Sequence, residues 1–217
     1  MLKKSLLALA LAGSVVTAQA DVLLQENFDN VASLQANGWI LNNASAAPGT
    51  TSWYQGDQAI FGAYNGAPEA YIAANFNSAS AGGTLANWLI TPVFSTATNV
   101  LISFWAKADQ LENFADNLAY GVSTGSADLS AFSLLPSFVV RGDWTRYTLA
   151  LNAQGAGSTA RFAIQYGGPA DAANYVGIDA LDINTVGVNA VPEPASVLLF
   201  GAGMLGLMGL RRRKQAR

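Results

Sequence analysis

The chain has 217 residues, 51% of them hydrophobic, a formal net charge of −3, and neither cysteine nor histidine. The missing residue types exclude Ser-His-Asp and Cys-His nucleophile systems, zinc centres of the usual kinds and stabilising disulfides. A paired-carboxylate glycosidase survives that inventory, since it needs only two Asp or Glu flanking a bound sugar, yet nothing in the spacing of Glu26, Glu69 and Glu112 selects a pair.

In chain order, Lys3 and Lys4 precede an apolar run from Leu6 to Val16, followed by Ala18-Gln19-Ala20. Positive charge, apolar core and small residues at −3 and −1 make residues 1–20 a signal peptide, with signal peptidase expected to cut between Ala20 and Asp21. The body, residues 21–188, follows. Between Asp21 and Val191 there are 4 basic and 13 acidic residues, a balance of −9. Such a body repels nucleic acid and anionic lipid surfaces, which require clustered Lys and Arg, and suits a cation or a neutral partner.

Helical periodicity is scarce in the body, whereas period-two alternation recurs between Gly, Asn, Ser and Pro breaks. Strands are predicted at 22–28, 39–42, 70–76, 88–94, 100–107, 118–123, 144–151, 161–166 and 175–183. In the fifth, Val100, Ile102, Phe104 and Ala106 share one face and Leu101, Ser103, Trp105 and Lys107 the other. Nine strands with no crossover helices predict an all-β protein of two antiparallel sheets packed face to face. Exposed aromatics stack on sugar rings, and Trp53, Tyr54 and Trp88, with Trp105 and Trp144, are candidates for glycan contacts. Tryptophan also fills sandwich cores, so both placements stay open. Gly82-Gly83 and Gly155-Ala156-Gly157 read as loop tips, because no helix N-terminus follows them to hold a phosphate.

The C-terminal segment, residues 189–217, combines Pro192-Glu193-Pro194, an uncharged run at 195–210 and a basic tail at 211–217. As a helix the 16 apolar residues reach about 24 Å at roughly 1.5 Å per residue, somewhat less than the roughly 30 Å hydrocarbon core of a bilayer. Arg211, Arg212, Arg213 and Lys214 stand where long cationic side chains make up the shortfall. They also hold the C-terminus on the cytoplasmic side. The prolines break the chain just ahead of this transmembrane helix.

The order Val191-Pro192-Glu193-Pro194, apolar span and Arg-rich tail closely resembles the PEP-CTERM sorting signal of exported proteins in Gram-negative, exopolysaccharide-producing bacteria. The resemblance implies transient inner-membrane insertion, recognition by an exosortase that cuts near Pro192-Glu193-Pro194, and transfer of the body to the cell surface or the extracellular matrix. Several body segments resemble a second family. Glu26-Asn27-Phe28-Asp29, Gly38-Trp39, Ser52-Trp53-Tyr54-Gln55-Gly56, Ala70 to Phe76, Asn87-Trp88-Leu89-Ile90-Thr91-Pro92, Ile102-Ser103-Phe104-Trp105 and Gly177-Ile178-Asp179 look like the choice-of-anchor J domain, related to cleaved-adhesin modules. That resemblance implies a jelly-roll β-sandwich acting as a non-catalytic adhesive or structural module, or as a carbohydrate-binding one meeting extracellular polysaccharide. Ala115-Asp116-Asn117-Leu118 departs from the family's Asp-Arg-Leu by lacking the arginine. Related modules hold a structural calcium where the first strand meets the last, which makes Glu26, Asp29 and Asp179 the expected metal ligands.

Overall fold

Alternation is the rule that builds this chain. In Val100–Ala108 the side chains of Val100, Ile102, Phe104 and Ala106 are wholly buried, while Leu101, Trp105 and Lys107 on the other face retain exposure. In Thr159–Pro169, Phe162, Ile164 and Tyr166 are likewise fully buried in the central core. Each such face removes several large side chains from water, at roughly 1.5–3 kcal/mol per fully buried side chain. A computed structural model describes residues 20–187, of which Ala20–Val186 form one compact unit. The predicted cleavage residue Ala18, the sorting motif at 192–194, the span at 195–210 and the basic tail lie outside the described residues.

Fourteen strands follow in order: β1 Val22–Glu26, β2 Ile40–Asn43, β3 Ala46–Pro48, β4 Tyr54–Gln55, β5 Ile72–Asn75, β6 Ala79–Ile90, β7 Phe94–Ser95, β8 Val100–Ala108, β9 Asn117–Ser123, β10 Ser133–Leu134, β11 Phe138–Val139, β12 Thr145–Leu151, β13 Thr159–Pro169 and β14 Tyr175–Thr185. They pair antiparallel in two sheets. The first runs β12-β8-β14-β5-β4 with β1 on β14; the second runs β10-β9-β13-β6-β2 with β11 on β9, β3 on β6 and β7 on β13. Among the described residues the only helical turns are short 3-10 segments. The described body is therefore all-β, and every predicted strand has an observed counterpart. The structure adds the first half of β6 and several two- or three-residue edge strands, whose sequences lack an apolar alternation.

The last strand organises the first sheet. Along one edge β14 pairs with β8; along the other, Tyr175–Ile178 pair with β5 and Leu181–Asn184 with β1. Between those two partners the register against β8 shifts, with Asp179 opposite Trp105 but Asp182 opposite Ser103. One extra residue is accommodated there as a bulge, and Ala180 takes a φ of 45°, in the left-handed region unusual for a residue with a Cβ. The bulge inverts side-chain parity, so Val176 and Ile178 before it and Leu181 and Ile183 after it all enter the core. Asp179 is turned to the outer face of the sheet.

Candidate functional site

That outer face is covered by the loop between β4 and β5, and Asp179 holds the loop down. Its side chain is fully buried. One carboxylate oxygen accepts the Asn65 N–H at 2.9 Å and the other the Ala180 N–H at 2.6 Å, with the Tyr64 N–H as a further partner. Burial pushes the Asp179 carboxyl up from 3.8 to about 6, against these three N–H groups, which favour the charged form; the neighbouring Asp29 charge adds to the rise.

The opening motif meets this point from the other side. Glu26 ends β1 beside Leu181 of β14, and its Oε1 accepts the Phe28 N–H at 2.8 Å. Phe28 is fully buried, its φ is 55°, and its ring meets Trp39 edge-on at 5.6 Å. Gln55 braces the turn, donating to the carbonyls of Phe28 (2.8 Å) and Glu69 (2.7 Å) and accepting from the Val31 N–H (2.9 Å). Burial raises the Glu26 carboxyl above its ordinary value, and the Asp29 charge again contributes. Asp29 thus acts electrostatically on both other acids. Even so, among the described residues no three acidic side chains are grouped to share a metal ion, so Glu26, Asp29 and Asp179 do not close as one three-carboxylate cluster. The remaining oxygens would have to come from amide side chains and the backbone.

Beyond Asp179 the outer face is aromatic. Phe61 and Tyr71 stack at 5.1 Å, and Tyr71 and Tyr175 share a hydroxyl–hydroxyl bond of 3.0 Å. Tyr54 and Trp144 pack against this group partly buried, and the Trp144 indole N–H donates to the Gly62 carbonyl at 3.0 Å. An added Cβ at Gly177 would stand 2.8 Å from the Tyr71 ring and 2.9 Å from that of Phe61, so the rings lie directly on the β14 backbone. Tyr64 lies flat on Trp105, centroids 3.8 Å apart and planes 16° from parallel, and its side chain remains 45% exposed. At one end of this face a cleft of about 500 Å³ is lined by Ile60, Lys107, Gln110, Arg141 and Asp143 among others.

The expected glycan contacts are placed differently. Trp53 is 5% exposed in the central core, and its indole N–H has no hydrogen-bond partner. Trp88 is 7% exposed under the 129–134 segment, with its ring 5.7 Å from Phe132. Neither presents a ring face to a ligand; their large apolar area drives them inward. Tyr54 is half-buried against Tyr175 at 6.3 Å. Glu69 and Glu112 are exposed. On this face Tyr64 keeps an open ring, while Phe76 and Phe114 are comparably exposed elsewhere; it is a lone ring in Gly62-Ala63-Tyr64-Asn65-Gly66, where turn residues on both sides give it no periodicity to be read by. Asp116, in the segment that departs from the family pattern, is buried and accepts bonds from the Tyr166 hydroxyl and the Asn174 N–H.

Residues 190–214 match the PEP-CTERM protein-sorting motif, which marks the chain for export and sorting to the cell surface. Two cleaved adhesin domains of Lys-gingipain from Porphyromonas gingivalis share the fold. One is 22% identical with a TM-score of 0.55, covering 77% of this chain and 100% of its own; the other is 21% identical with a TM-score of 0.58, covering 78% and 99%. No curated protein matches the chain.

The raised Asp179 value means that the folded protein holds this proton more tightly than the unfolded chain does. Its favourable contribution is complete below about pH 3.8 and is lost as pH rises through about 6. In chelator, wild-type stability measured by denaturant titration is expected to fall relative to that of Asp179→Asn between about pH 4 and pH 7. A stability difference that stays constant across that window contradicts the assignment.

Proposed function

We propose that the protein is a non-catalytic adhesive or structural module, displayed at the surface or in the extracellular matrix of an exopolysaccharide-producing Gram-negative bacterium. The observation that carries this reading is a terminal sorting motif joined to an all-β body that lacks histidine and cysteine. Signal peptidase cuts before Asp21, and exosortase acts near Pro192-Glu193-Pro194. The body is already tied at that end: the Asp21 N–H donates to the Thr185 hydroxyl at 2.7 Å, and the Thr185 N–H to the Asp21 carbonyl at 2.9 Å. A new α-amino group at Asp21 keeps the first of these bonds. Replacing Pro192 and Pro194 with alanine is expected to leave an unprocessed precursor in the membrane fraction. Wild type and variant shed equally, with the same mass, would remove the sorting reading.

Calcium at the β1–β14 junction belongs to the same reading. Asp29 and Asp179, with Glu26 at the margin, would hold it, and the Asn27 side-chain oxygen and backbone carbonyls would supply the rest of the six to eight oxygens that calcium takes. Two features support the fit: the Asp29 charge raises the proton affinity of both Glu26 and Asp179, and no basic group offsets that rise at either. A bound ion would clamp the first strand, the last strand and the covering loop. The expected result is a lower melting temperature in chelator, restored by calcium and poorly by magnesium, with no such response in Asp179→Ala. Superimposable wild-type melting curves with and without chelator would end the proposal.

A carbohydrate-binding role is the second reading, favoured by the exposed Tyr64 ring supported from beneath by Trp105.

A further inference from the structure

The body's balance of −9 conceals where its four cations stand. Arg161 is structural, its guanidinium donating to the carbonyls of Thr91 at 2.8 Å and Gly125 at 3.2 Å. Of the other three, Arg146 and Lys107 stand on the outer face of the first sheet and Arg141 lines the cleft at its end. Arg146 lies opposite Trp105 in the β12–β8 pairing and donates to the Ser103 hydroxyl at 3.0 Å. Lys107 lies two residues along β8 from Trp105, about 7 Å away on the same face, with its ammonium 4.9 Å from the Phe61 ring centre. Lys107 and Arg141 both line the 500 Å³ cleft. The Tyr64–Trp105 stack therefore stands among these cations, with Arg146 beside Trp105 and the cleft beyond Lys107.

We propose that this strip binds an acidic saccharide, one sugar ring stacking on the exposed face of Tyr64 while carboxylates of the chain pair with Arg146 and with Lys107 and Arg141 in the cleft. The inference rests on the carbohydrate-binding reading and departs from the neutral or cationic partner that the overall charge implies. The parts suit that ligand chemically. A pyranose presents apolar C–H faces to an aromatic ring and hydroxyls at its rim. The cleft offers donors on Lys107, Arg141 and Gln110 and acceptors on Asp109 and Asp143. An added Cβ at Gly142 would stand 2.7 Å from the Gln110 amide, so the glycine leaves room for that side chain to lie against the loop. Tyr64 is fixed in advance by Trp105 and by the Asn65 N–H bond to Asp179, which lowers the ordering cost of binding. Asp182, opposite Ser103 on the same face, partly offsets the Arg146 charge. A negative body does not forbid the contact, because repulsion from charges more than about 8 Å away is largely screened at physiological ionic strength. Three cations are few for a nucleic acid, whose affinity depends on neutralising many phosphates.

The test uses the processed full-length protein and a panel of oligogalacturonate, oligomannuronate and hyaluronan fragments, each beside its carboxyl-reduced neutral counterpart, with single-stranded DNA and anionic phosphatidylglycerol vesicles as controls. Isothermal titration is expected to give binding to at least one acidic fragment about tenfold tighter than to its neutral counterpart. Arg146→Gln and Lys107→Gln should each weaken it about five- to tenfold and reduce its salt dependence, Arg146→Lys should recover part of the loss, and Tyr64→Ala should weaken acidic and neutral forms alike. Unchanged melting temperatures in the variants separate these losses from unfolding. Equal binding of acidic and neutral fragments, still dependent on Tyr64, would overturn the acidic-ligand inference and leave the carbohydrate-binding reading standing; binding of no fragment would overturn both. Equal or tighter binding of DNA or vesicles would overturn the saccharide assignment.

Discussion

The hydrogen bonds to the Asp179 carboxylate are the interaction on which the outer face of the first sheet depends. A carboxylate is costly to bury unless it is satisfied, and here the β14 backbone bulges to aim it away from the core while Ile178 and Leu181 on either side remain inside. It then takes its bonds from Asn65 and Ala180, which joins a loop far away in sequence to the central strand. Tyr64 is laid on Trp105 as a direct consequence, since the next residue is the one that Asp179 holds. The opening turn at Phe28, the bulge at Ala180 and the loop at Asn65 form one connected arrangement, and its acids are the same ones proposed to hold calcium.

The sheet separates attachment from contact. The chain enters at Asp21 and leaves at Thr185, which are bonded to each other, a few residues before the sorting motif at 190–214. Lys107 of the cleft stands opposite Gly177, eight residues up β14 from Thr185 and so about 26 Å along the strand. A module tethered by that end would carry its aromatic and basic strip at a distance from the tether. Local charge, as well as the balance of −9, then bears on what the strip meets, with Asp109 and Asp143 lining the cleft beside its cations and Asp182 near Arg146.

The strands were legible in the sequence because one-sided burial writes a period of two, as in Val100, Ile102, Phe104 and Ala106. What was not legible has a physical reason in each case. The first half of β6, Ala79 to Thr84, pairs through its backbone while its side chains are too small to alternate. The parity change at Ala180 follows from a bulge, which inserts a residue without altering composition. Trp53 and Trp88 went inward because an indole serves a core as well as it serves a ligand, and sequence alone cannot rank the two. Tyr64 carried no pattern at all; its importance comes from landing on Trp105, a contact across 41 residues of chain. The sorting motif, by contrast, was readable because its three parts must occur in fixed order at one end.

The Asp179 carboxylate fixes the covering loop to the sheet through the Asn65 N–H, and amide hydrogen exchange at Asn65 reads out that attachment. This loop amide is expected to exchange on the timescale of the β8 core amides in the wild-type protein, and at the rate of an unprotected loop amide in Asp179→Ala while the β8 amides keep their protection. Fast exchange at Asn65 in the wild type, or slow exchange that survives the substitution, would contradict it.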